Sequence, residues 1–281
     1  MAAKILLARF PLKYSAWRKL GGFVHGNMDT AAYALSVFKR HYELANPPIG
    51  FNMLEFGPGD SAASALIAHA FGAETVWLVD VGDFATREME VYRKVAAALN
   101  DAGLRLDVDL SGFDGMLASC NAKYIANGLE GMNAIPNGSV DFLWSQAVLE
   151  HVRKAELPAT FHQFNRVLRE NGNSTHRVDF KDHLGGGLNN LRFSEKVWES
   201  RWMSTSGFYT NRVRLGEMTR LLVSAGFKVE AVEVEGWASL PIQHKALAPA
   251  FQCLPEAELL LRGAFLVATP SKTADRTASA P

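Results

Sequence analysis

The chain has 281 residues, with 29 Lys plus Arg balanced by 29 Asp plus Glu. A net charge of zero argues against a generally basic nucleic-acid surface, so we expect no nucleic-acid partner. Hydrophobic residues make up 48% of the sequence, and no apolar run approaches the length of a membrane span. We therefore expect one globular domain with additions. The two cysteines, Cys120 and Cys253, lie in no metal-binding spacing, which favours a reducing, cytoplasmic compartment.

The first 28 residues contain five basic side chains, no acidic one, and interleaved apolar residues. Arg9 and Pro11 interrupt the apolar run too early for a secretory signal. Two interpretations stay open: a basic amphipathic surface in weak contact with an anionic membrane, and an arm that folds over the active site. A helix is predicted over residues 29–44, with Asp29 as its N-cap. Residues 1–48 are thus interpreted as an N-terminal arm and helix that act as a lid.

The most informative stretch is residues 51–80. An apolar strand (51–56) runs into a turn at Gly57 and Gly59, an alanine-rich helix (61–71) follows, and a second apolar strand (75–79) ends at Asp80. Glycines permit a close backbone approach, and the N-terminus of the following helix presents N–H groups to a ligand. This order of strand, glycine loop, helix, strand and acid predicts the first half of a nucleotide-binding α/β sheet.

Two cofactors compete for this loop. Gly57-x-Gly59-x-x-Ala62 fits a loose dinucleotide fingerprint. Asp60 argues against a pyrophosphate there, because two neighbouring anions repel. Glu55 precedes the first glycine by two residues, and acids suit the ammonium and sulfonium of S-adenosylmethionine. With E-x-G-x-G at this position, the chain resembles the class I S-adenosylmethionine-dependent methyltransferases.

The resemblance extends to residue 180. Residues 140–145 read as a buried strand, and the run D-F-L-W-S-Q-A-V-L-E-H-V is similar to the family's fourth motif. Between the motifs we predict a helix over 84–100, capped by Asp83, an irregular stretch over 101–121, and a strand over 122–126. A helix over 153–168, closed by residues 170–172, should then lead into a strand over 175–180.

The resemblance implies a doubly wound, mostly parallel α/β sheet of seven strands. Residues 49–180 would be its cofactor-binding half, and 215–270 its C-terminal strands. Two inserts, 181–214 and 236–260, should form a lid around the acceptor, since a long structureless crossover in a compact domain is usually functional. Residues 271–281 are small and polar and are predicted to be disordered.

The family's cofactor is S-adenosyl-L-methionine, and its site carries over to matching positions here. The loop after the first strand would hold the methionine part, and Asp80 would bind the ribose. Residues 129 and 130 would flank the adenine, and residues 145 and 146 would form the floor under the sulfonium. The implied cofactor-binding residues are Glu55, Phe56, Gly57, Pro58, Gly59, Asp60, Ser61, Asp80, Val81, Leu129, Glu130, Ser145 and Gln146.

Methyl transfer to an oxygen requires a base, and His151 and His183 are the candidates because both leave strand ends. Trp202 and Tyr209 are candidate acceptor-binding residues. No metal site is expected, because His176 and Asp179 should point to opposite faces of their strand.

The prediction is O-methylation of a small molecule or glycan intermediate. An NAD-dependent or nucleotide-sugar oxidoreductase and a non-catalytic binding protein on the same fold are the alternatives.

Overall fold

The computed structural model describes residues 28–271. The predicted basic stretch (1–28), apart from Met28, and nearly all of the predicted tail lie outside the described residues. The strands are β1 (Asn52–Phe56), β2 (Thr75–Val79), β3 (Ala122–Ile125), β4 (Val140–Gln146), β5 (Leu168–Asp179), β6 (Phe227–Gly236) and β7 (Leu261–Pro270). The helices are α1 (Ala31–Ala45), α2 (Ala63–Ala70), α3 (Met89–Asp101), α4 (Phe113–Ser119), α5 (Gly128–Gly131), α6 (Leu157–Val167), α7 (Glu195–Trp198), α8 (Arg201–Ser204), α9 (Leu215–Ser224), α10 (Pro249–Gln252) and α11 (Glu256–Leu259).

The seven strands form one sheet in the order β3-β2-β1-β4-β5-β7-β6. Strands β1 to β5 are parallel to one another, whereas β7 runs antiparallel to both β5 and β6. This confirms the predicted fold class. The chain order reverses between β1 and β4, and in such sheets ligands bind outside the carboxyl ends of the strands at that switch point.

Two apolar cores cover the two faces of the sheet. Helices α1 to α4 pack on one face around residues such as Phe38, Met53 and Trp144. Helices α6 and α9 pack on the other face around Leu54 and Phe161. Strands β1 and β4 are buried on both faces, which explains why they read as continuous apolar runs rather than alternating ones.

Several predicted boundaries were wrong for identifiable reasons. Helix α3 begins at Met89 rather than 84, because the N–H groups of Phe84 and Ala85 bond instead to the Tyr124 hydroxyl. Helix α1 begins at Ala31 and has Thr30 as its N-cap, so Asp29 is not the cap. The stretch predicted as irregular contains α4.

The predicted helix closure at residues 170–172 was also wrong, because these residues lie within β5. Val140 pairs with Leu168 and Phe142 pairs with Asn173, so the intervening residues form a bulge. A bulge places extra residues on one strand without ending the ladder, and the E-N-G sequence fits that role as readily as it fits a turn.

The two inserts are folded together. The insert after β5 contains α7 and α8 with a small core of Trp198, Met203 and Tyr209. A second cluster joins leucines of both inserts, namely Leu188, Leu191, Leu247 and Leu259. The inserts therefore form one cap beside the carboxyl ends of β5 and β6. In the described part of the chain, no helix is both long and apolar enough to cross a membrane.

Helix α1 should be an integral part of the core. The Phe38 side chain is fully buried, and its ring lies 5.1 Å from that of Phe71 and 6.2 Å from that of Trp144. We expect Phe38→Ala to lower the free energy of unfolding by about 3–5 kcal/mol, the usual effect of removing a buried aromatic ring. Urea unfolding followed by circular dichroism measures this. The exposed Ile49→Ala is the control, and an equally small effect at both positions would contradict the packing of α1.

Candidate active site

The glycine loop after β1 is held closely against its surroundings. Gly57 has φ +83° and donates its N–H to the Val79 carbonyl oxygen at 2.8 Å. A Cβ at this position would come within 2.5 Å of the Val148 side chain. Glycine is therefore required here both by its backbone conformation and by the close approach of the loop after β4.

The carboxylate of Asp80 joins the loops after β1 and β2. Its Oδ2 accepts the Gly59 N–H at 2.8 Å, and its Oδ1 accepts the Val81 N–H at 2.7 Å. Its main-chain carbonyl accepts the N–H of Gly128 at 2.7 Å. Asp80 is thus fixed at the carboxyl edge of the sheet, where the resemblance puts a ribose.

Glu55 is a buried acid whose carboxyl group is incompletely hydrogen-bonded. It is 2% exposed, and its Oε2 makes no hydrogen bond with the described residues. Burial raises the pKa of Glu55 to about 8; the Ser64 hydroxyl opposes the shift and the Asp80 carboxylate adds to it. A cationic ligand group would favour the charged form of such a carboxyl. The residues present therefore fit the ammonium group of S-adenosylmethionine.

The sequence predicts open N–H groups at the start of α2, but two of these groups have protein partners. The Ala63 N–H bonds to Ser61 Oγ at 3.1 Å, and the Ala62 N–H bonds to the Tyr92 hydroxyl at 3.3 Å. The Tyr92 hydroxyl also donates to the Thr86 carbonyl oxygen at 2.7 Å. These amides already have protein partners, so the start of α2 presents fewer open N–H groups to a ligand than the sequence predicts.

The predicted adenine side is assembled from two neighbouring loops. Val81 is 79% exposed, and a Cβ at Gly128 would lie 3.5 Å from its Cα. Leu129 is half-buried and Glu130 exposed on α5. Tyr124, which sequence reasoning missed, shapes the adjoining loop by donating to the Gly82 carbonyl oxygen at 3.1 Å.

The carboxyl end of β4 is polar and held from both faces of the sheet. Ser145 Oγ lies 2.8 Å from His176 Nδ1 on β5. Gln146 Oε1 lies 3.0 Å from His41 Nε2 on α1. Both histidines are fully buried, and no local sequence signal connects them with the site.

The two candidate bases meet, although they leave different strands. The rings of His151 and His183 have centroids 4.7 Å apart and are nearly perpendicular, at 81°. His151 Nδ1 lies 3.0 Å from the Tyr209 carbonyl oxygen. Because a carbonyl only accepts, Nδ1 carries the proton and Nε2 is the basic nitrogen of the neutral ring.

The surroundings lower the pKa of His183 and fix the loop that carries His151. Desolvation lowers the pKa of His183, against the opposing effects of Asp179 and Asp182, although its ring keeps an exposed surface. The loop that carries His151 is fixed by Asn211, whose Nδ2 donates to the carbonyl oxygens of Leu149 and Val152 at 2.7 and 2.9 Å. Asn211 was not singled out in the sequence.

The two candidate acceptor residues lie in different surroundings. Trp202 is 51% exposed on α8. Tyr209 is 4% exposed, its hydroxyl donates to Glu199 Oε2 at 2.8 Å, and it packs on Trp198. Tyr209 therefore supports the cap and the His151 loop from behind, since its ring has almost no surface left for an acceptor to stack on.

Comparison with known proteins identifies the domain. Residues 54–174 match the family model described as a methyltransferase domain. No curated protein sequence matches the chain.

Three solved structures are similar at low identity. The YcgJ protein of Bacillus subtilis is 13% identical, with a TM-score of 0.48 over 86% of this chain and 99% of that chain. A SAM-dependent methyltransferase from Methanosarcina mazei is 14% identical, with a TM-score of 0.49 over 84% and 97%. Phosphoethanolamine N-methyltransferase 2 of Haemonchus contortus, solved with S-adenosyl-L-methionine, is 16% identical, with a TM-score of 0.46 over 85% and 52%.

Ligand binding should be linked to the proton on Glu55. At pH 7 the unliganded carboxyl is mostly protonated, and an ammonium group beside it lowers its pKa, so binding releases a proton. We expect the affinity for S-adenosylhomocysteine to rise between about pH 6 and pH 8, by up to about tenfold per pH unit. Calorimetry in buffers of different ionisation enthalpy measures the released proton. Glu55→Gln should lose the pH dependence, and a variant that retains it would place the linkage elsewhere.

Asp80 should contribute directly to affinity. Asp80→Ala removes a buried carboxylate that can accept hydrogen bonds from a ligand and that orders two loops. We expect it to weaken S-adenosylhomocysteine binding by about 1–3 kcal/mol, the usual range for hydrogen bonds to charged groups. The exposed Asp101→Ala, at the end of α3, is the control for a simple change of charge. Unchanged affinity in Asp80→Ala would show that the ribose lies elsewhere.

Proposed function

We propose that this chain, whose residues 54–174 match a methyltransferase domain, is a class I S-adenosylmethionine-dependent methyltransferase that methylates a hydroxyl oxygen of a small molecule or glycan intermediate. The proposal rests on the contact between His151 and His183, because hydroxyl acceptors must lose a proton during transfer whereas neutral amines need no base. A dinucleotide-dependent oxidoreductase is no longer a competing interpretation, since the domain belongs to the methyltransferases.

The cofactor-binding residues are proposed from their positions at the edge of the sheet. The loop from Glu55 to Ser61 would hold the methionine part of the cofactor. Asp80 and Val81 would bind the ribose and adenine side, together with Leu129 and Glu130. Ser145 and Gln146 would form the floor of the site. When bound, S-adenosylmethionine supplies a methyl group on a sulfonium, activated for displacement.

The histidine pair would act on the acceptor rather than on the cofactor. His151 Nε2 would take the proton of the acceptor hydroxyl, whose oxygen would accept the methyl group that the bound cofactor would supply. His183 packs its ring against His151 and limits the positions that the base can adopt. The Tyr209 carbonyl stabilises the resulting imidazolium through Nδ1–H. Alignment of the acceptor supplies most of the remaining acceleration.

The cap offers a surface suited to a sugar-like acceptor. A cleft of about 340 Å³ lies between the two inserts and α9, with charged walls that include Lys154 and Arg220 and an apolar wall that includes Phe251. Lys154 follows His151 by three residues, which connects this cleft with the base. Trp202, which is exposed on α8 and is not part of this cleft lining, is proposed as a separate acceptor contact. Mixed aromatic and charged walls match the apolar faces and hydroxyl groups of a glycan.

The compartment and partners remain proposals. Cys120 and Cys253 are both free thiols, which fits the reducing cytoplasm. The acceptor is taken to be a small molecule or glycan, and no nucleic-acid partner is proposed.

The test is methyl transfer from labelled S-adenosylmethionine to a panel of hydroxyl and amine acceptors of glycan size. We expect label in hydroxyl acceptors, and His151→Ala to slow transfer by about 10²-fold at saturating cofactor, because a general base contributes about that much. His183→Ala should have a smaller effect, and both variants should keep near-normal cofactor affinity.

Exposed His162→Ala is the matched control for loss of a histidine. Transfer to amines alone, or normal rates in both single variants and in the double variant, would contradict hydroxyl methylation with a histidine base.

A further inference from the structure

A buried histidine of α1 reaches the edge of the cofactor-binding sheet. His41 is fully buried, with Nδ1 2.8 Å from Thr175 Oγ1 on β5 and Nε2 3.0 Å from Gln146 Oε1 at the end of β4. Its ring also packs on Trp144, with centroids 4.7 Å apart. One side chain thus connects a helix, two strands and a residue of the proposed cofactor floor.

The hydrogen bonds define where the protons lie. An amide oxygen only accepts, so His41 Nε2 must donate to Gln146. A neutral imidazole has one N–H, so Nδ1 accepts and the Thr175 hydroxyl donates to it. Burial lowers the pKa of His41 to about 4, against the opposing Gln146 bond and with a further lowering from Arg40, so the ring is neutral at physiological pH. Both ring nitrogens are therefore satisfied in one tautomer.

This arrangement also determines which end of the Gln146 amide is available. With its oxygen bonded to His41, the NH₂ group is turned away from α1. The Gln146 side chain is only half-buried, at the carboxyl end of β4, and its NH₂ makes no hydrogen bond with the described residues. The neighbouring residue, Ala147, has φ +52° and bends the chain away from the strand immediately afterwards.

We propose that His41 is a positioning residue for the methyltransferase site, which holds the Gln146 amide so that its N–H groups donate to an oxygen of the bound cofactor. The inference rests on the proposed placement of Gln146 in the cofactor floor. Two cofactor oxygens carry the required chemistry, the carboxylate of the amino-acid part and a ribose hydroxyl. A purely packing role for His41 would need an aromatic ring but no N–H donor.

Calorimetric binding to the full chain tests the proposal with two probes. S-Adenosylhomocysteine has the carboxylate and the ribose, whereas 5′-methylthioadenosine lacks the carboxylate. We expect His41→Phe to weaken S-adenosylhomocysteine binding by about three- to tenfold, the effect of one lost hydrogen bond. Gln146→Ala should have the same effect, and the double variant should be no worse than Gln146→Ala alone. His41→Gln, which keeps an N–H donor, should retain part of the affinity.

The two probes distinguish the two candidate oxygens of the cofactor. A loss for S-adenosylhomocysteine only indicates the carboxylate, and an equal loss for both probes indicates a ribose hydroxyl. Normal affinity of His41→Phe for both probes, or an undiminished effect of His41→Phe in the Gln146→Ala background, overturns the proposal. Failure of the wild-type chain to bind either probe would instead refute the cofactor site, and hydroxyl methylation is judged separately by the acceptor assay.

A measurement on the unaltered protein covers the case in which His41→Phe does not fold. Long-range ¹⁵N–¹H spectra of histidine-labelled protein report which ring nitrogen carries the proton. The proposal predicts His41 protonated on Nε2 at pH 7, and a proton on Nδ1 would overturn it. Exposed His162→Phe serves as the assignment and affinity control, and it should bind both probes as the wild type does.

Discussion

The geometry of the site depends on the carboxylate of Asp80, which binds the N–H groups of Gly59 and Val81 with its two oxygens. This pair of bonds connects the loops after β1 and β2 at the carboxyl edge of the sheet, beside the bond from the Gly57 N–H to the Val79 carbonyl oxygen. Gly57 completes the connection because Val148 of the β4 loop packs where a side chain would be. The ends of three strands that are neighbours in the sheet, β2, β1 and β4, are therefore held together around one crevice.

The same carboxyl edge of the sheet carries two buried acids, Glu55 and Asp80. Glu55 is buried near Asp80, and its pKa is raised to about 8 because burial and that neighbour disfavour its charged form. A buried acid with an unpartnered oxygen destabilises the unliganded protein, and a cationic ligand relieves this cost on binding. Acidic loops of this kind suit a cofactor with ammonium and sulfonium groups and disfavour a pyrophosphate.

The parts of the site that are local in sequence could be predicted, and the parts made by distant residues could not. The strand, glycine turn and acid of residues 51–80 are encoded within one stretch, so their order and the fold followed from the sequence. The bond of His41 to Gln146 joins residues 105 positions apart, and that of Asn211 to Leu149 spans 62. Nothing in the local pattern indicates such pairs. Tyr209 was predicted to bind the acceptor because an aromatic ring can stack on a substrate, but the packing of the cap buries that ring.

The central claim is that S-adenosylmethionine lies at this edge with its methyl group directed at the histidine pair. A crystal structure of the chain with S-adenosylhomocysteine tests it most directly. The account predicts the amino group beside Glu55, the ribose hydroxyls at Asp80, and the sulfur facing His151 and His183. Density for the ligand away from the Gly57–Gly59 loop, or a sulfur turned away from both histidines, would contradict it.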